Sequence, residues 1–264
     1  MTNEDNALFY GLFDTHAHLT DDRFDPDRSE LINSLQNCGV KRVIDVACRV
    51  DQAESTLALT REYDFIYAAV GVHPHEVGDM TQADLDALER ISHDQKVVAI
   101  GEIGLDYHYD FAPRDVQRKW FAQQLELAIS LKMPVSLHIR EAFGDCMDIL
   151  RAHKDGLCGV MHCFSGSLET AFEVMDLGLH IALGGSVTFK NARHPVEVAR
   201  EIPCDALLIE TDCPYMTPVP YRGERNDPSY IVHTAKKIAE VRSEELTDVI
   251  EYTYKNACKT FGIK

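Results

Sequence analysis

The chain has 264 residues, with 43 acidic side chains against 26 basic ones and a formal net charge of -17. Hydrophobic residues make up 45% and charged residues 26%, which is typical of a globular core and excludes a disordered chain. The acidic balance excludes a global field that attracts DNA or RNA, unless a site binds cations that reverse the charge locally.

The N-terminal segment and the cysteines predict the cellular compartment. The opening residues "MTNEDNALFYGLFD" are acidic and polar where a signal peptide is basic and then apolar, and no apolar run is long enough to span a bilayer. The eight cysteines form no C-x-x-C pair, so we expect reduced thiols that pack as small hydrophobic residues. These features predict a cytoplasmic protein without a membrane partner, and a monomer is favoured.

Short β-branched and apolar runs alternate with stretches of helical periodicity from one end of the chain to the other. The predicted strands are 12–19, 42–48, 66–74, 97–107, 134–139, 159–164, 180–189 and 206–214. Helices are predicted at 113–132, at 228–241, and at 243–261 with Ser243 as the N-cap. Alternating strands and helices imply parallel strands with crossover helices, and eight such units close a (β/α)8 barrel.

We therefore predict one α/β domain over residues 1–264, a (β/α)8 TIM barrel. A doubly wound open sheet is the rival architecture, but the first strand lacks the glycine-rich phosphate loop that often follows it in that fold. No linker or low-complexity tract divides the chain.

Polar residues end most of the predicted strands. In a parallel barrel the carboxyl ends of the strands open onto one face, which holds the active site. The strand-end residues of metal-ligating type are His16 and His18, His73, Glu102 and Asp106, His138, His162, and Asp212.

Each of these residues alone has an ordinary structural explanation, since a single histidine on a strand is usually a satisfied core or surface side chain. The pair His16 and His18 is a stronger signal, because alternate strand residues share a face and can chelate one ion; Asp14 has the same spacing. Glu102 lies within "IGEIG", and a carboxylate in an apolar strand has to be paired or coordinated.

Even four histidines and two carboxylates from this set of strand-end residues exceed the needs of one tetrahedral zinc ion. They suit two divalent ions bridged by a carboxylate, a site that activates water and stabilises the charge on a phosphoester. Imidazole and carboxylate ligands do not distinguish magnesium, manganese and zinc, since availability decides among such ions.

Seven motifs, in order over about residues 12 to 230, resemble the TatD family of metal-dependent deoxyribonucleases, part of the amidohydrolase-like superfamily. They are "DTHAHL", "GVHPH", "GEIGLDY", "HIRE", "MHCFSG", "GGSVTFKNA" and "IETDCPYMTPVPYRGERNDP". The resemblance implies a (β/α)8 barrel, a pair of divalent metal ions, and hydrolysis of phosphodiesters in DNA, and possibly RNA, often from a 3′ end.

The resemblance also implies roles for individual residues. Matched by position, one ion would be bound by His16, His18 and Asp212 and the other by His138 and His162, with Glu102 bridging them. Asp212 and Glu102 are the implied catalytic residues, with Asp212 orienting or deprotonating the attacking water. Phosphate contacts are expected at His73, Arg140, Ser165 and Arg222.

Two positions depart from the family pattern. Glu141 stands where aspartate is common, and Cys213 stands where alanine or serine is commoner. Cys213 and Cys163 each follow a predicted ligand directly, so on a strand they should face away from the metal ions and pack behind the site.

Three alternatives remain from the sequence alone. Amide or lactone hydrolysis of the amidohydrolase type commonly uses a carbamylated lysine on the fourth strand, where this chain has Glu102, while Lys96 lies at the strand's amino end. Ester hydrolysis on aminoacylated tRNA is chemically within reach of the same ions. The third alternative is a metal-binding scaffold without turnover.

Overall fold

The computed structural model describes residues 11–264, which form one barrel of eight parallel strands. The strands are β1 Leu12–Ala17, β2 Val40–Ala47, β3 Ile66–Val70, β4 Val97–Asp106, β5 Val135–Arg140, β6 Gly159–Met161, β7 Leu179–Leu183 and β8 Leu207–Ile209. The helices are α1 Arg28–Leu35, α2 Ala53–Glu62, α3 Gln82–Ile91, α4 Arg114–Leu131, α5 Phe143–Ala152, α6 Leu168–Asp176, α7 Arg193–Glu201, α8 Ile231–Arg242 and α9 Leu246–Thr260.

Each strand pairs in parallel with the next one along the chain, and β8 returns to β1. The closing contacts join the last residues of β1 to the segment past β8: Ala17 bridges Cys213, and the Asp212 amide donates a hydrogen bond to the His16 carbonyl over 2.9 Å. The predicted (β/α)8 barrel is therefore confirmed, and two predicted ligands lie in the backbone seam that closes it.

Apolar side chains fill the amino end of the barrel. One buried cluster joins Phe13, Val98, Val160 and Leu208, each the second residue of its strand, to Phe261 beyond the last helix. A larger cluster lies between the sheet and its surrounding helices. This division leaves the carboxyl ends of the strands as the face where polar side chains gather.

Several strands end earlier than the sequence predicts. β3 stops at Val70, β6 at Met161 and β8 at Ile209, and the apolar residues beyond them belong to loops. Cys163 and Asp212 adopt left-handed backbone conformations, with φ of 43° and 56°, which a strand cannot contain. The residues that follow these shortened strands form the rim of the barrel.

The predicted N-cap at Ser243 is wrong. Ser243 has φ 55° and ψ 42°, and its amide donates a hydrogen bond to the Glu240 carbonyl, so it ends α8 in a left-handed C-cap. α9 begins at Leu246, after Glu245 in the N-cap position. A polar residue between two helices can serve either one, and here the preceding helix uses it.

All eight cysteines are free thiols, as expected from the sequence. Over residues 11–264, none of the helices combines the length and apolar character that crossing a membrane requires. The cytoplasmic location stays a prediction from the sequence.

Two glycines flank Glu102 and let β5 approach β4 closely. A Cβ atom at Gly101 would lie 2.6 Å from the Ser136 Cβ. A Cβ at Gly104, where φ is +150°, would lie 1.9 Å from the carbonyl oxygen of His138. Glycine is required at both positions, because any side chain would push away the strand that carries His138.

We expect Gly104→Ala to lower the free energy of unfolding by about 1–3 kcal/mol, since the new methyl group collides with backbone that cannot rotate away. Gly144→Ala is the matched control, because a Cβ there meets nothing within 4 Å and lies in α5. That control should leave stability unchanged or raise it by about 0.4–1 kcal/mol. Urea denaturation of both variants gives the comparison, and equal stabilities would contradict the packing argument.

Candidate metal centre

The carboxylate of Glu102 lies at the centre of the barrel mouth, with 3% of its side chain exposed. Its Oε2 atom is 3.4 Å from Nε2 of His16 and 3.7 Å from Nε2 of His18. Its Oε1 atom is 2.7 Å from Nδ1 of His138 and 2.8 Å from Nε2 of His162. The two carboxylate oxygens therefore face two different pairs of histidines.

Asp212 completes the cluster from the end of β8. Its Oδ1 atom is 3.6 Å from Nε2 of His18, and with His16 and His162 it forms a group whose ligand atoms lie within 4.8 Å of one another. The left-handed backbone at Asp212 turns the chain out of the sheet directly at this residue. All six residues predicted as metal ligands therefore meet at one place.

The four predicted substrate contacts surround this cluster at different depths. His73 is buried beside it, with Nε2 3.5 Å from Oε1 of Glu102. Arg140 and Ser165 are exposed on the rim, and Arg222 donates a hydrogen bond to the Thr217 carbonyl while its guanidinium lies 3.9 Å from the Phe189 ring centre. Substrate contact by these four residues stays a prediction.

Each of the four predicted ligand histidines turns one ring nitrogen toward the cluster and has a partner near the other. The partners are Ser136 for His16, Val46 for His18, Asp106 for His138 and Glu210 for His162, at 3.3, 3.0, 3.1 and 3.5 Å. Such outer partners orient ligating imidazoles in metalloproteins. The donor set and its supports thus fit a divalent metal centre.

Glu210 is a functional candidate that the sequence argument missed. Its side chain is fully buried, and Oε1 accepts a hydrogen bond from the Cys163 amide over 2.5 Å. Within residues 11–264, Oε2 of Glu210 has no hydrogen-bond partner, and Nδ1 of His162 has no hydrogen bond beside its 3.5 Å ion-pair contact with Oε1 of Glu210. The signal was present in "LLIETD", where Glu210 directly follows an apolar run. Glu102 is likewise a carboxylate among apolar strand residues.

Asp106 supports a second histidine. It lies 2.9 Å from Nε2 of His75 and 3.1 Å from Nε2 of His138, and it accepts hydrogen bonds from the amides of His108 and Tyr109. Burial alone would raise the pKa of Asp106, but these hydrogen bonds hold it below its usual range. The ionised carboxylate fixes the His138 ring and anchors the loop that follows β4.

The charges in the cluster compensate one another. Burial alone would raise the pKa of Glu102, but His162, His73 and His16 hold it well below its usual range. Burial also lowers the pKa of His16 and of His73, which favours their neutral forms. Burial alone would likewise lower the pKa of His162, but Glu102 and Glu210 raise it well above its ordinary value. Metal binding requires neutral imidazoles and ionised carboxylates, so an ion that binds here would displace the proton on His162.

One thiol lies inside the site, although sequence reasoning assigned the cysteines to packing. Sγ of Cys48, just past β2, is 3.8 Å from Nδ1 of His18 and 3.9 Å from Oε2 of Glu102. The expectation for Cys163 and Cys213 assumed that both lie on strands, and this premise is wrong, since β6 ends at Met161 and β8 at Ile209. Loop conformation decided the position of Cys48, and no periodic pattern in the sequence marks it.

Two remaining acidic residues have structural partners. Asp14 does not join the cluster despite its strand spacing; it accepts hydrogen bonds from the amide and hydroxyl of Thr211 over 2.9 and 2.5 Å. This contact joins β1 to the segment after β8. Glu141, one of the two departures from the family pattern, pairs with His108 across 2.7 Å on the exposed rim.

Comparison with known proteins agrees with this geometry. The profile of the family described as "TatD related DNase" matches residues 13–262. A relative in Bacillus subtilis (strain 168), named "Uncharacterized metal-dependent hydrolase YabD", is 44% identical over 253 residues, covering 96% of this chain and 99% of that protein. In Cronobacter sakazakii, the protein named "3'-5' ssDNA/RNA exonuclease TatD" is 33% identical over 258 residues, covering 95% of this chain and 97% of its own.

A solved structure extends the similarity to the whole fold. The crystal structure of YJJV, a TatD homologue from Escherichia coli K12, matches with a TM-score of 0.92 and 30% sequence identity. The match covers 97% of this chain and 100% of that one. This chain therefore shares its barrel fold with a TatD homologue.

We expect Glu210→Gln to weaken zinc binding by about 10- to 100-fold, because the amide keeps the shape of the side chain but removes the charge that orients His162. The matched control is Glu197→Gln, an exposed acidic residue on α7. Zinc affinity would be measured by competition with a chromophoric chelator, with circular dichroism to verify the fold. Identical affinities for Glu210→Gln and wild type would contradict this role.

Proposed function

The chain belongs to the TatD-related DNase family of metal-dependent hydrolases, and on this premise we propose that it hydrolyses phosphodiester bonds at the 3′ end of single-stranded DNA or RNA with two divalent ions. One observation carries the proposal: the two oxygens of Glu102 face separate histidine pairs, His16 with His18 and His138 with His162. A single tetrahedral ion needs fewer ligands than this arrangement offers.

The family pattern divides these residues between two ions, although in this structure the ligand atom of His162 also lies within 4.8 Å of those of His16 and Asp212. The first ion would be held by His16, His18 and Asp212, the second by His138 and His162, and Glu102 would bridge them. When bound, such ions supply positive charge that stabilises a phosphate in its transition state and lower the pKa of water. Magnesium, manganese and zinc are all compatible with these ligands.

Asp212 is the proposed general base. Burial alone would raise the pKa of this carboxyl, but His18, His162 and His16 lower it, so the group is ionised and can accept a proton from the attacking water. Glu102 contacts both histidine pairs and contributes negative charge to both. His73 borders Glu102 and, being neutral, can donate a hydrogen bond to a phosphate oxygen.

Arg140, Ser165 and Arg222 are proposed to contact the phosphate backbone beyond the scissile bond. Arg140 is exposed at the end of β5, two residues after His138, so it can reach a phosphate held at the centre. The acidic chain offers few other cations to a polyanion. The bound ions would supply the local positive charge that the protein as a whole lacks.

The names of relatives support nucleic acid as the substrate, since two of them are called 3'-5' ssDNA/RNA exonucleases. The position of Lys96 disfavours the amidohydrolase alternative. Its Nζ atom donates a hydrogen bond to the Asp64 carbonyl over 2.7 Å, at the amino end of the barrel, away from Glu102. This lysine therefore cannot take the bridging position between two ions at the mouth.

We expect the purified protein to shorten labelled single-stranded oligonucleotides with a free 3′ end. Addition of a chelator should abolish this cleavage, and addition of magnesium or manganese should restore it. Oligonucleotides with a blocked 3′ end and duplexes serve as matched controls for polarity and strandedness. Intact oligonucleotides under all conditions would overturn the proposal. Release of amino acid from charged tRNA with DNA intact would indicate a deacylase instead.

We expect His138→Ala and Asp212→Ala each to lower kcat by at least about 100-fold, since each removes a group that acts directly on the reacting centre. Both residues line the mouth, so the melting temperature of the metal-free variants should stay close to wild type. Ser165→Ala is the milder comparison on the same rim. Wild-type turnover in either main variant would contradict the assigned roles.

We expect substrate affinity to depend weakly on salt, with a log–log slope no steeper than about -2, because few side-chain cations face the substrate. The slope would be measured from KM between low and physiological ionic strength. Arg140→Gln should flatten it further. A slope of about -4 would contradict this expectation and indicate a cationic track along the substrate path.

A further inference from the structure

The loop between β4 and α4 exposes two aromatic side chains beside the metal centre. Tyr109 is 48% exposed and Phe111 is 67% exposed, the largest fraction among the exposed large hydrophobic side chains of residues 11–264. Single exposed hydrophobic residues are common on protein surfaces and need no explanation. Two exposed aromatic rings that contact each other beside a candidate active site do need an explanation.

The two rings are stacked and supported from below. Their centroids are 5.3 Å apart with an interplanar angle of 23°. The His75 ring meets both rings edge-on, at 5.3 Å from Tyr109 and 4.8 Å from Phe111. Tyr109 covers one face of Phe111, and most of the remaining surface of Phe111 is open to solvent.

His75 connects this aromatic pair to the candidate metal centre, through ring contacts on one side and a hydrogen bond on the other. Nε2 of His75 is 2.9 Å from Oδ2 of Asp106, and the same oxygen is 3.1 Å from Nε2 of His138. His138 in turn contacts Glu102 over 2.7 Å. The exposed rings are therefore held in fixed register with the atoms that would act on the scissile phosphodiester.

The loop is also preorganised by its own contacts. The amides of His108 and Tyr109 both donate hydrogen bonds to Oδ1 of Asp106 over 2.9 Å. The guanidinium of Arg140 lies 4.8 Å from the Tyr109 ring centre, and His108 pairs with Glu141. Holding an apolar side chain exposed without letting it collapse inward takes such support, which favours a binding role.

We propose that Phe111, backed by Tyr109, is the stacking platform for a nucleobase of the single-stranded substrate next to the scissile bond. Every nucleobase has a π-face, so aromatic stacking contributes affinity without sequence preference. The proposal rests on the proposed nuclease function and names the part of the substrate that a chain with net charge -17 can bind without a cationic groove. Arg140 beside the stack would hold the adjoining phosphate.

The first test measures binding to the metal-loaded enzyme without cleavage. The probe is a fluorescently labelled single-stranded oligonucleotide whose 3′-terminal linkages are phosphorothioates, followed by fluorescence anisotropy. We expect Phe111→Ala to weaken binding by about tenfold, within the range found when base-stacking aromatics are removed. Phe172→Ala, an exposed aromatic residue on α6, is the matched control and should bind as wild type does.

Two further variants separate stacking from simple apolar contact. Phe111→Leu keeps a hydrophobic side chain without a π-face and should lose as much affinity as Phe111→Ala. Phe111→Trp restores an aromatic face and should retain wild-type affinity. In steady-state assays the loss should appear in KM, with kcat within about twofold of wild type, because uniform binding is removed without touching the reacting groups.

Abasic substrates locate the base. Replacing one nucleotide near the 3′ end by an abasic residue should raise KM of the wild type by about tenfold at one position only. Phe111→Ala should show no further loss with that substrate, since the base and the ring would be partners in a single interaction. If the abasic substitution and Phe111→Ala raised KM additively, the proposed stacking contact would be wrong.

The outcomes separate a failure of the stacking platform from a failure of the proposed nuclease function. Metal-loaded wild-type enzyme that neither binds nor cleaves any oligonucleotide would overturn the nuclease function and the platform together. Normal cleavage with unchanged KM and anisotropy in Phe111→Ala would overturn the platform alone. Full affinity in Phe111→Leu would likewise overturn it, because a nonaromatic contact would then suffice.

Discussion

The burial of one ionised carboxylate organises this protein. Glu102 is almost wholly shielded from water at the mouth of the barrel, and its charge would cost several kcal/mol without compensation. Three imidazoles, those of His162, His73 and His16, hold its pKa low, and a bound cation would compensate the same charge more strongly. The close approach of β5 at Gly101 and Gly104, and the convergence of histidines from several strands, serve that single requirement.

Compensation works only if the imidazoles point correctly, and the barrel supplies the groups that orient them. Ser136 and Asp106 come from strands, Glu210 follows one, and Val46 offers its backbone carbonyl. Each proposed ligand histidine is thus held by a neighbour in the sheet or just past it, so the alignment of strands sets the alignment of ring nitrogens. The apolar amino end carries stability and the polar carboxyl end carries chemistry, a division characteristic of this architecture.

Periodic features were predictable from the sequence, and conformational ones were not. Strand ends that meet at one rim predicted eight candidate residues there, and the resemblance to the TatD family selected the six proposed ligands among them. Cys48 and His75 could not be placed, because their positions depend on how the chain turns after β2 and β3. Ser243 was misassigned because its residue type suits an N-cap, while tertiary context made it the left-handed end of α8. Glu210 could have been found with the argument applied to Glu102.

If this acidic protein acts on a polyanion, the attraction at the site has to outweigh the repulsion from its net charge. Repulsion between net charge -17 and phosphate is screened within about 10 Å at ordinary salt, whereas a cation held at Glu102 acts at contact distance. Affinity beyond that contact can come from interactions without charge, and the exposed face of Phe111 offers one. On the proposed function, an acidic exterior would discourage unproductive adsorption along a nucleic acid, and only a strand end that reaches the centre would gain both the cation and the ring.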